Sequence, residues 1–410
     1  MRKLFNSRPS IESGFKNWDI KLSSIRKIDF IFLIIVMLLA AFGTAAIYSA
    51  SSFKANEDYG NSHYFLGKQL MRLAIGILLM VIFLNIDYHT LHQIAPILLI
   101  LTFFILLFVL IGGNLYKGSR RSIPLFGFVF QPSEFAKYVL VVFLSMFVVK
   151  KGERIKDFND GLLPCLMIMA LIVVPILLEP DLGNGAIIFL IGCIVIFVGG
   201  ASIYHLSSLG VLAMTAMGFV ISIFPYQKVR LFKFVDAVRG VQEPHWQVTQ
   251  SLISLGNGGL WGVGLGNSRQ KLHFLPQPFT DFIFSIIGEE IGIIGCALII
   301  ILLLAFMWRG LWIAVHAPDK QGRLLAIGIT SSIVLYSLFN AAIAVNLFPV
   351  SGITLPFISY GGSSLVANFM AVGILLNISS HIMGNNSGKS LGVGKNYVTH
   401  SNIAAKRKRR

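Results

Sequence analysis

Arg269–Gly292, RQKLHFLPQPFTDFIFSIIGEEIG, joins a polar, proline-broken loop to a long apolar run, and one carboxylate, Asp281, stands at the join. Glu289 and Glu290 follow about two turns later, inside the apolar run. A run over 282–307 is long enough to cross a bilayer, which takes about 20 apolar residues. Carboxylates at or below the edge of such a segment are costly, so each marks a candidate functional group. The stretch predicts a membrane protein that keeps its chemistry at the membrane surface.

Composition agrees with that reading. The 410 residues are 55% hydrophobic and only 13% charged, whereas a soluble domain carries about 25% charged residues. The formal net charge of +16 invites a nucleic-acid partner, but the cations lie in the wrong places for one. They gather at the N-terminus (Arg2, Lys3, Arg8, Lys16, Lys21, Arg26, Lys27), between Lys150 and Lys156, and in the final KRKRR. Tails and short loops between apolar runs are where the positive-inside rule puts them, and no basic face with interleaved aromatic residues appears. Cys165, Cys193 and Cys296 lie far apart within apolar runs, with neither a disulfide framework nor metal-ligand spacing.

The chain reads as an all-α integral membrane protein of about ten spans. Residues 1–27 form a basic tail, 28–380 the membrane domain and 381–410 a second basic tail. The first apolar run, 28–48, exceeds the roughly 7–15 residues of a signal-peptide core. Further spans fall near 67–85, 93–112, 132–149, 162–178, 184–200, 204–224, 282–307, 323–345 and 353–380. An even number puts both termini on one side. With the basic termini inside, Lys150, Lys151, Arg154, Lys156, Arg309, Lys320 and Arg323 are inside too. The outside then receives 51–66, 113–131, 179–183, the long loop 225–281 between spans seven and eight, and 346–352. These outer loops carry most of the unusual residues.

Arg120 and Arg121, in GSRRSIPLFGFVFQPSE, suit a diphosphate or a lipid headgroup, since arginine binds such anions bidentately; snorkelling to lipid phosphates is the plainer alternative. Glu134 and Lys137 share one face of the fourth span at i and i+3 and can pair. Glu179 and Asp181, in LLEPDLGNG, read as a turn and a cap of the following helix. The loop KVRLFKFVDAVRGVQEPHWQVTQSLISL resembles an interfacial amphipathic helix as much as an ordinary anchored loop. The glycines of GNGGLWGVGLGNS could turn amides towards an anion or serve plain turns. In LFPVSGITLPFISYGGSSL, Pro356, Ser359, Gly361, Gly362, Ser363 and Ser364 break a helix at membrane depth, which only a protein or water-lined environment tolerates. Asp281 follows a loop braced by Pro276 and Pro278 and begins a span, so it serves as a helix cap with Thr280 or as a general base.

These motifs resemble those of the SEDS family (shape, elongation, division and sporulation), the FtsW/RodA polymerases of bacterial cell walls. The landmarks are GSRRSIPLFGFVFQPSEFAK, EPDLGNG, the run from Gln250 to Gly292 and PVSGITLPFISYGGSSL, and the resemblance covers nearly all ten spans. SRQKLHFLP is closer to the division-specific FtsW branch than to RodA. The resemblance implies a peptidoglycan glycosyltransferase that polymerises lipid II at the periplasmic face of the cytoplasmic membrane, at the division septum. Asp281 then corresponds to the base of the family's TDFIF motif. Arg120, Arg121, Lys137 and Lys271, with or without a divalent cation (Mg or Mn), would meet the charge of the leaving diphosphate. Glu134 would orient Lys137 or bind a sugar, with Ser359 and Gly361 also at the substrate. Glu290 would hold the eighth span and Pro276 the loop. Family members work with a class B penicillin-binding protein and other division proteins, so such partners are expected. Ser122 replaces an aromatic residue, Asn184 a Thr, Asn257 a Ser, and Gln277 and Phe279 the usual Glu and His. A RodA-type elongation polymerase, a lipid II flippase and a scaffold for a transpeptidase are the competing readings. They differ in whether a bond is made.

Overall fold

The computed structural model describes residues 28–113, 121–125, 128–223, 225–272, 274–275 and 278–390. Arg120, His273, Pro276, Gln277 and both basic tails up to 27 and from 391 lie outside the described residues. The chain is an all-α membrane protein with thirteen α-helices among the described residues and one small β-hairpin in the loop before Pro132. The helices are α1 (Phe30–Tyr59), α2 (Tyr64–Asn85), α3 (Tyr88–Gly112), α4 (Pro132–Lys151), α5 (Leu163–Leu178), α6 (Leu182–Val198), α7 (Ile203–Ile223), α8 (Pro225–Val238), α9 (Trp246–Gly258), α10 (Ile283–Ile291), α11 (Ile293–His316), α12 (Lys320–Ala344) and α13 (Gly362–Ser390). Strands β1 (Ile123–Leu125) and β2 (Phe128–Phe130) pair antiparallel, with Ile123 opposite Phe130.

Among the described residues, eight helical segments are long and apolar enough to cross a membrane: α1, α2, α3, α4, α5 together with the helical turn before it (Phe158–Leu178), α11, α12 and α13. α6 is apolar but has 17 residues, and α7 follows it directly. The most apolar stretch of α13 is 83% buried and that of α4 72%, against 22% for α2 and 28% for α3 and α11. α4 and α13 are therefore the inner helices, and α2, α3 and α11 present apolar faces outward. The amide of Asp29 donates to Ser379 Oγ (3.3 Å), so both ends of the described chain lie at one end of the bundle. There the Asp29 carboxylate accepts from the amide of Phe32 (3.1 Å) as the cap of α1 and pairs with Arg309 Nε (2.6 Å).

The structure corrects four sequence boundaries. α1 does not stop near 48 but runs on to Tyr59: SSFKANEDY is polar yet contains no helix breaker, so at 1.5 Å per residue the helix reaches about 45 Å and rises clear of the hydrocarbon. The predicted outer loop over 51–66 shrinks accordingly. The eighth span is not one helix over 282–307; it divides at Gly292, where φ is +76°. A β-carbon there would meet the carbonyl oxygen of Leu260 at 2.3 Å, so both the backbone conformation and the close approach require glycine. The tenth span begins at Gly362 rather than 353, because residues 351–361 are non-helical. α13 also continues beyond 380 to Ser390, into the predicted tail. The amphipathic loop resolves into two helices, α8 and α9.

Gly292→Val should lower the unfolding temperature of the detergent-solubilised protein by several degrees, with a cost of a few kcal/mol typical of core overpacking. An unchanged thermal transition would show that the break between α10 and α11 tolerates a side chain.

Candidate active site

Asp281 sits in the turn that opens α10, and other segments fix that turn through its backbone. The amide of Tyr360 donates to the carbonyl of Phe279 (2.9 Å). Ser359 Oγ donates to the carbonyl of Thr280 (2.6 Å) and accepts from the amide of Leu355 (2.8 Å). Asn340, one turn before the end of α12, donates through Nδ2 to the carbonyls of Asp281 (2.8 Å) and Ile353 (2.7 Å). The broken segment 351–361 thus spends its polar groups on the turn that carries Asp281. Polar backbone at this depth needs such partners.

The turn faces a cavity of about 380 Å³. Its walls come from four parts of the chain: Lys54 and Asp58 on the extension of α1 and Arg72 on α2; Arg121, Ser122 and Gln131 around the hairpin with Glu134 on α4; Phe279, Thr280 and Asp281; and Gly352, Thr354 and Tyr360 to Ser364. Gly352 has φ +64°, and a β-carbon on it would lie 3.5 Å from Arg121 Nη1 and 3.7 Å from Asp281 Oδ2. The guanidinium of Arg121 and the carboxylate of Asp281 therefore converge on this one glycine. The same Arg121 Nη1 lies 3.6 Å from Asp181 Oδ2, which also accepts from Asn184 Nδ2 (2.7 Å). Asp181 holds the cap position of α6 but makes no side-chain capping bond; its Oδ2 is shared between Asn184 and Arg121. The capping role read from the sequence is corrected here.

Burial pushes the carboxyl of Asp181 above its ordinary range, and the charge of Arg121 opposes that shift. Burial raises Glu179 to about 8, helped by the charge of Asp181 and opposed by Arg121. Both carboxyl oxygens of Glu179 are buried without a hydrogen-bond partner among the described residues, consistent with a neutral acid.

Arg72, absent from the sequence candidates, is 6% exposed and lays its guanidinium over the Tyr360 ring at 4.3 Å. A lone arginine within an apolar span was the signal for it. Lys54 and Asp58 were concealed by the assignment of 51–66 to a loop. Glu134 reaches the cavity, while Lys137 lies behind it, 2.6 Å from Glu134 Oε2 and 3.8 Å above the Tyr336 ring. Gly361 lines the cavity, but Ser359 is buried in the latch just described.

Lys271 does not reach the cavity. Its Nζ is buried against Glu290 (2.9 Å) and the carbonyls of Gly266 (2.7 Å) and Ser49 (3.1 Å). Glu290 also accepts from Ser49 Oγ (2.5 Å), while Glu289 accepts from Ser254 Oγ (3.1 Å), the Ser268 hydroxyl and the amide of Arg269 (3.2 Å). Both glutamates tie loop 266–271 down. The glycine run forms no anion cradle: the amides of Gly262, Val263 and Gly264 donate to the carbonyls of Gly258, Glu289 and Glu290. Phe279, in place of the family's histidine, is buried between Phe65 (4.8 Å) and Tyr360 (5.5 Å).

No three His, Cys, Asp or Glu side chains converge as a metal-ligand set among the described residues. Among the described residues, the cations facing the cavity are Lys54, Arg72 and Arg121.

A multi-pass helical membrane protein with a carboxylate and arginines gathered in one cavity at the loop-rich end is the class defined by this fold and site. Residues 29–383 match the family model described as cell cycle protein, FtsW/RodA/SpoVE, and the chain belongs to that family, the SEDS proteins. It is 40% identical over 356 residues to stage V sporulation protein E of Bacillus subtilis (strain 168), covering 86% of this chain and 97% of the relative. It is 36% identical over 370 residues to the probable peptidoglycan glycosyltransferase FtsW of Geobacter sulfurreducens, covering 90% and 99%. Among solved structures it superposes on a chain of a peptidoglycan synthase complex, described as coordinating polymerization and crosslinking, with TM-score 0.72 and 26% identity over 87% of this chain and 98% of that one. The rod shape determining protein RodA of Thermus thermophilus gives TM-score 0.64 at 25% identity, covering 86% and 96%.

Glu179→Gln tests the buried acid. A carboxyl whose folded pKa lies above its unfolded one favours the folded state at low pH, and that contribution is lost as pH rises from about 4.5 to about 8. The variant should therefore melt several degrees above the parent at pH 9 and close to it at pH 5. Equal melting temperatures at pH 9 would show that Glu179 is already paired and ionised.

Proposed function

We propose that the chain is a peptidoglycan glycosyltransferase that polymerises lipid II at the periplasmic face of the bacterial cytoplasmic membrane. The observation that carries this reading is the convergence of Asp281 and Arg121 on Gly352 inside the cavity, in a chain whose relatives include probable peptidoglycan glycosyltransferases. Both termini are cytoplasmic in this reading, and α6 and α7 complete ten crossings.

In the reaction, an Asp281 carboxylate oxygen takes the proton of the 4-hydroxyl of the acceptor GlcNAc. The oxygen bonds to the anomeric carbon of the donor MurNAc as the bond to the diphosphate breaks. The electron pair departs with undecaprenyl diphosphate, and the anomeric configuration inverts. A fixed base at the reacting hydroxyl contributes about 10²–10⁴ in rate. Charge develops on the diphosphate as the bond breaks, and cations already held in place stabilise it without reorganising. Arg121 is held by Asp181 and Arg72 by Tyr360, so both are preorganised for this task, with Lys54 adding charge. Glu134, neutralised from behind by Lys137, offers a sugar hydroxyl an acceptor.

A class B penicillin-binding protein is the proposed partner, supported by the likeness to a chain of a peptidoglycan synthase complex. The FtsW relatives favour action at the division septum. The 40% identity to stage V sporulation protein E favours a second reading of when the enzyme acts, with the same chemistry used during sporulation. Filamentation of vegetative cells on depletion supports the first, and a defect confined to spores the second.

Asp281→Asn should reduce glycan-chain formation from lipid II by purified protein with its partner at least about 10²-fold, with folding and membrane insertion intact. Polymerisation at the parent rate would refute the base assignment, and translocation of lipid II without polymer in vesicles would favour a flippase. Asp181→Asn should lower kcat about tenfold with little change in KM, as expected on losing an interaction used mainly in the transition state. Added to Arg121→Gln it should cost almost nothing more, because the two act as one unit. Additive losses would separate Asp181 from Arg121.

A further inference from the structure

Two partly buried contacts measure the height of the loop-rich end above the opposite one. At the lower level, Asp29 pairs with Arg309 (2.6 Å), joining the start of α1 to α11. At the upper level, Ser49 Oγ donates to Glu290 (2.5 Å), joining α1 to the end of α10, just before α11 begins. Between these levels each wall climbs about 19 residues, or about 28 Å at 1.5 Å per residue. A bilayer's hydrocarbon core is about 30 Å thick. The lower contact places charged groups at one edge of the core, so Ser49 and Glu290 mark the other.

Gly259–Gly266, sequence GLWGVGLG, lies at that upper level. The carbonyl of Gly259 accepts from the amide of Ile293 (2.9 Å), and the amide of Gly266 donates to Ser49 Oγ (3.1 Å). The segment has no ionisable side chain, and Leu260, Trp261, Val263 and Leu265 are 64, 80, 41 and 72% exposed. They adjoin the exposed face of α11 that begins at Ile293 and Ile294. A group of four such side chains on a water-facing loop would be an unusual cost. Four of its eight backbone amides, those of Gly262, Val263, Gly264 and Gly266, donate to protein acceptors, which lowers the cost of placing this backbone in an apolar layer.

We infer that Gly259–Gly266 is a membrane-embedded loop, its apolar side chains inserted among lipid acyl chains just below the headgroups of the cavity-side leaflet. Trp261 sits where an indole can keep its ring in the apolar region and its N–H near the headgroups. The loop hangs from the carbonyls of Glu289 and Glu290 on α10 (2.9 and 3.0 Å), the helix that Asp281 opens. Lipid contact thus sets the depth at which Asp281 stands relative to the bilayer. The inference does not depend on the reaction proposed above.

The test uses the full chain, without partner, in phosphatidylcholine–phosphatidylglycerol vesicles containing a phospholipid brominated near the headgroup end of its acyl chain. Comparing the parent with Trp261→Phe isolates the emission of one of the five tryptophans, and the substitution keeps an apolar ring. The expected result is a blue-shifted component, quenched by bromolipid and little by acrylamide, that is lost in the variant. The quadruple variant Trp18→Phe, Trp246→Phe, Trp308→Phe and Trp312→Phe, which leaves Trp261 alone, should show the same quenching directly. A Trp261 component quenched by acrylamide but not by bromolipid would place the loop in water. Shielding from both quenchers would place it against protein. Either result overturns the inference.

Discussion

The side-chain amide of Asn340 donates to two carbonyls, those of Asp281 and Ile353, and the geometry of the site depends on this bridge. One residue near the end of α12 fixes both the turn that carries the carboxylate and the start of the broken segment facing it. Ser359 and Tyr360 repeat the tie one and two residues away from Asp281. A carboxylate in a cavity is useful only if its distance to the reacting atoms is held, and three backbone-directed bonds hold it without using the carboxylate itself.

The same economy governs the charged groups. Lys137 with Glu134 and Lys271 with Glu290 are buried pairs, and Arg309 with Asp29 is a partly buried one. Such pairs contribute little net stability, but removing one member leaves a buried charge uncompensated. Arg309 with Asp29 fixes where α11 meets the start of α1, Lys271 with Glu290 pins loop 266–271 to α10, and Lys137 with Glu134 lies within α4. Lys271 and Arg309 are paired away from the cavity, and among the described residues Lys54, Arg72 and Arg121 are the cations that line it. Arg121 belongs to both groups, held from behind by Asp181 and presented in front beside Asp281. Its position links the outer hairpin, the start of α6 and the turn before α10.

Interruption of helices is the third recurring device. The division at Gly292 lets the glycine-rich loop lie against the backbone of α10, and the break over 351–361 supplies the groups that latch the Asp281 turn. Both interruptions occur beside the site, and the freed backbone groups reported there are met by protein. A straight span would have presented only side chains at this depth.

Some of this was legible in the sequence because it depends on local rules. Hydropathy marks segments that must avoid water, so the membrane class and most span positions follow from composition alone. The i, i+3 spacing of Glu134 and Lys137 predicts a pair because a helix fixes that distance. A carboxylate at the join of a loop and a span singles out Asp281 by its cost. The remainder depended on which segments pack together. Lys271 reads as a substrate cation until the fold brings Glu290 to it, and Asp181 reads as a cap until Arg121 arrives from another loop. Arg72, Asn340 and Ser359 lie far along the chain from Asp281, and no spacing connects them. Sequence determined where each polar group enters the membrane; only tertiary packing decided which partner it meets, because that partner comes from a different helix.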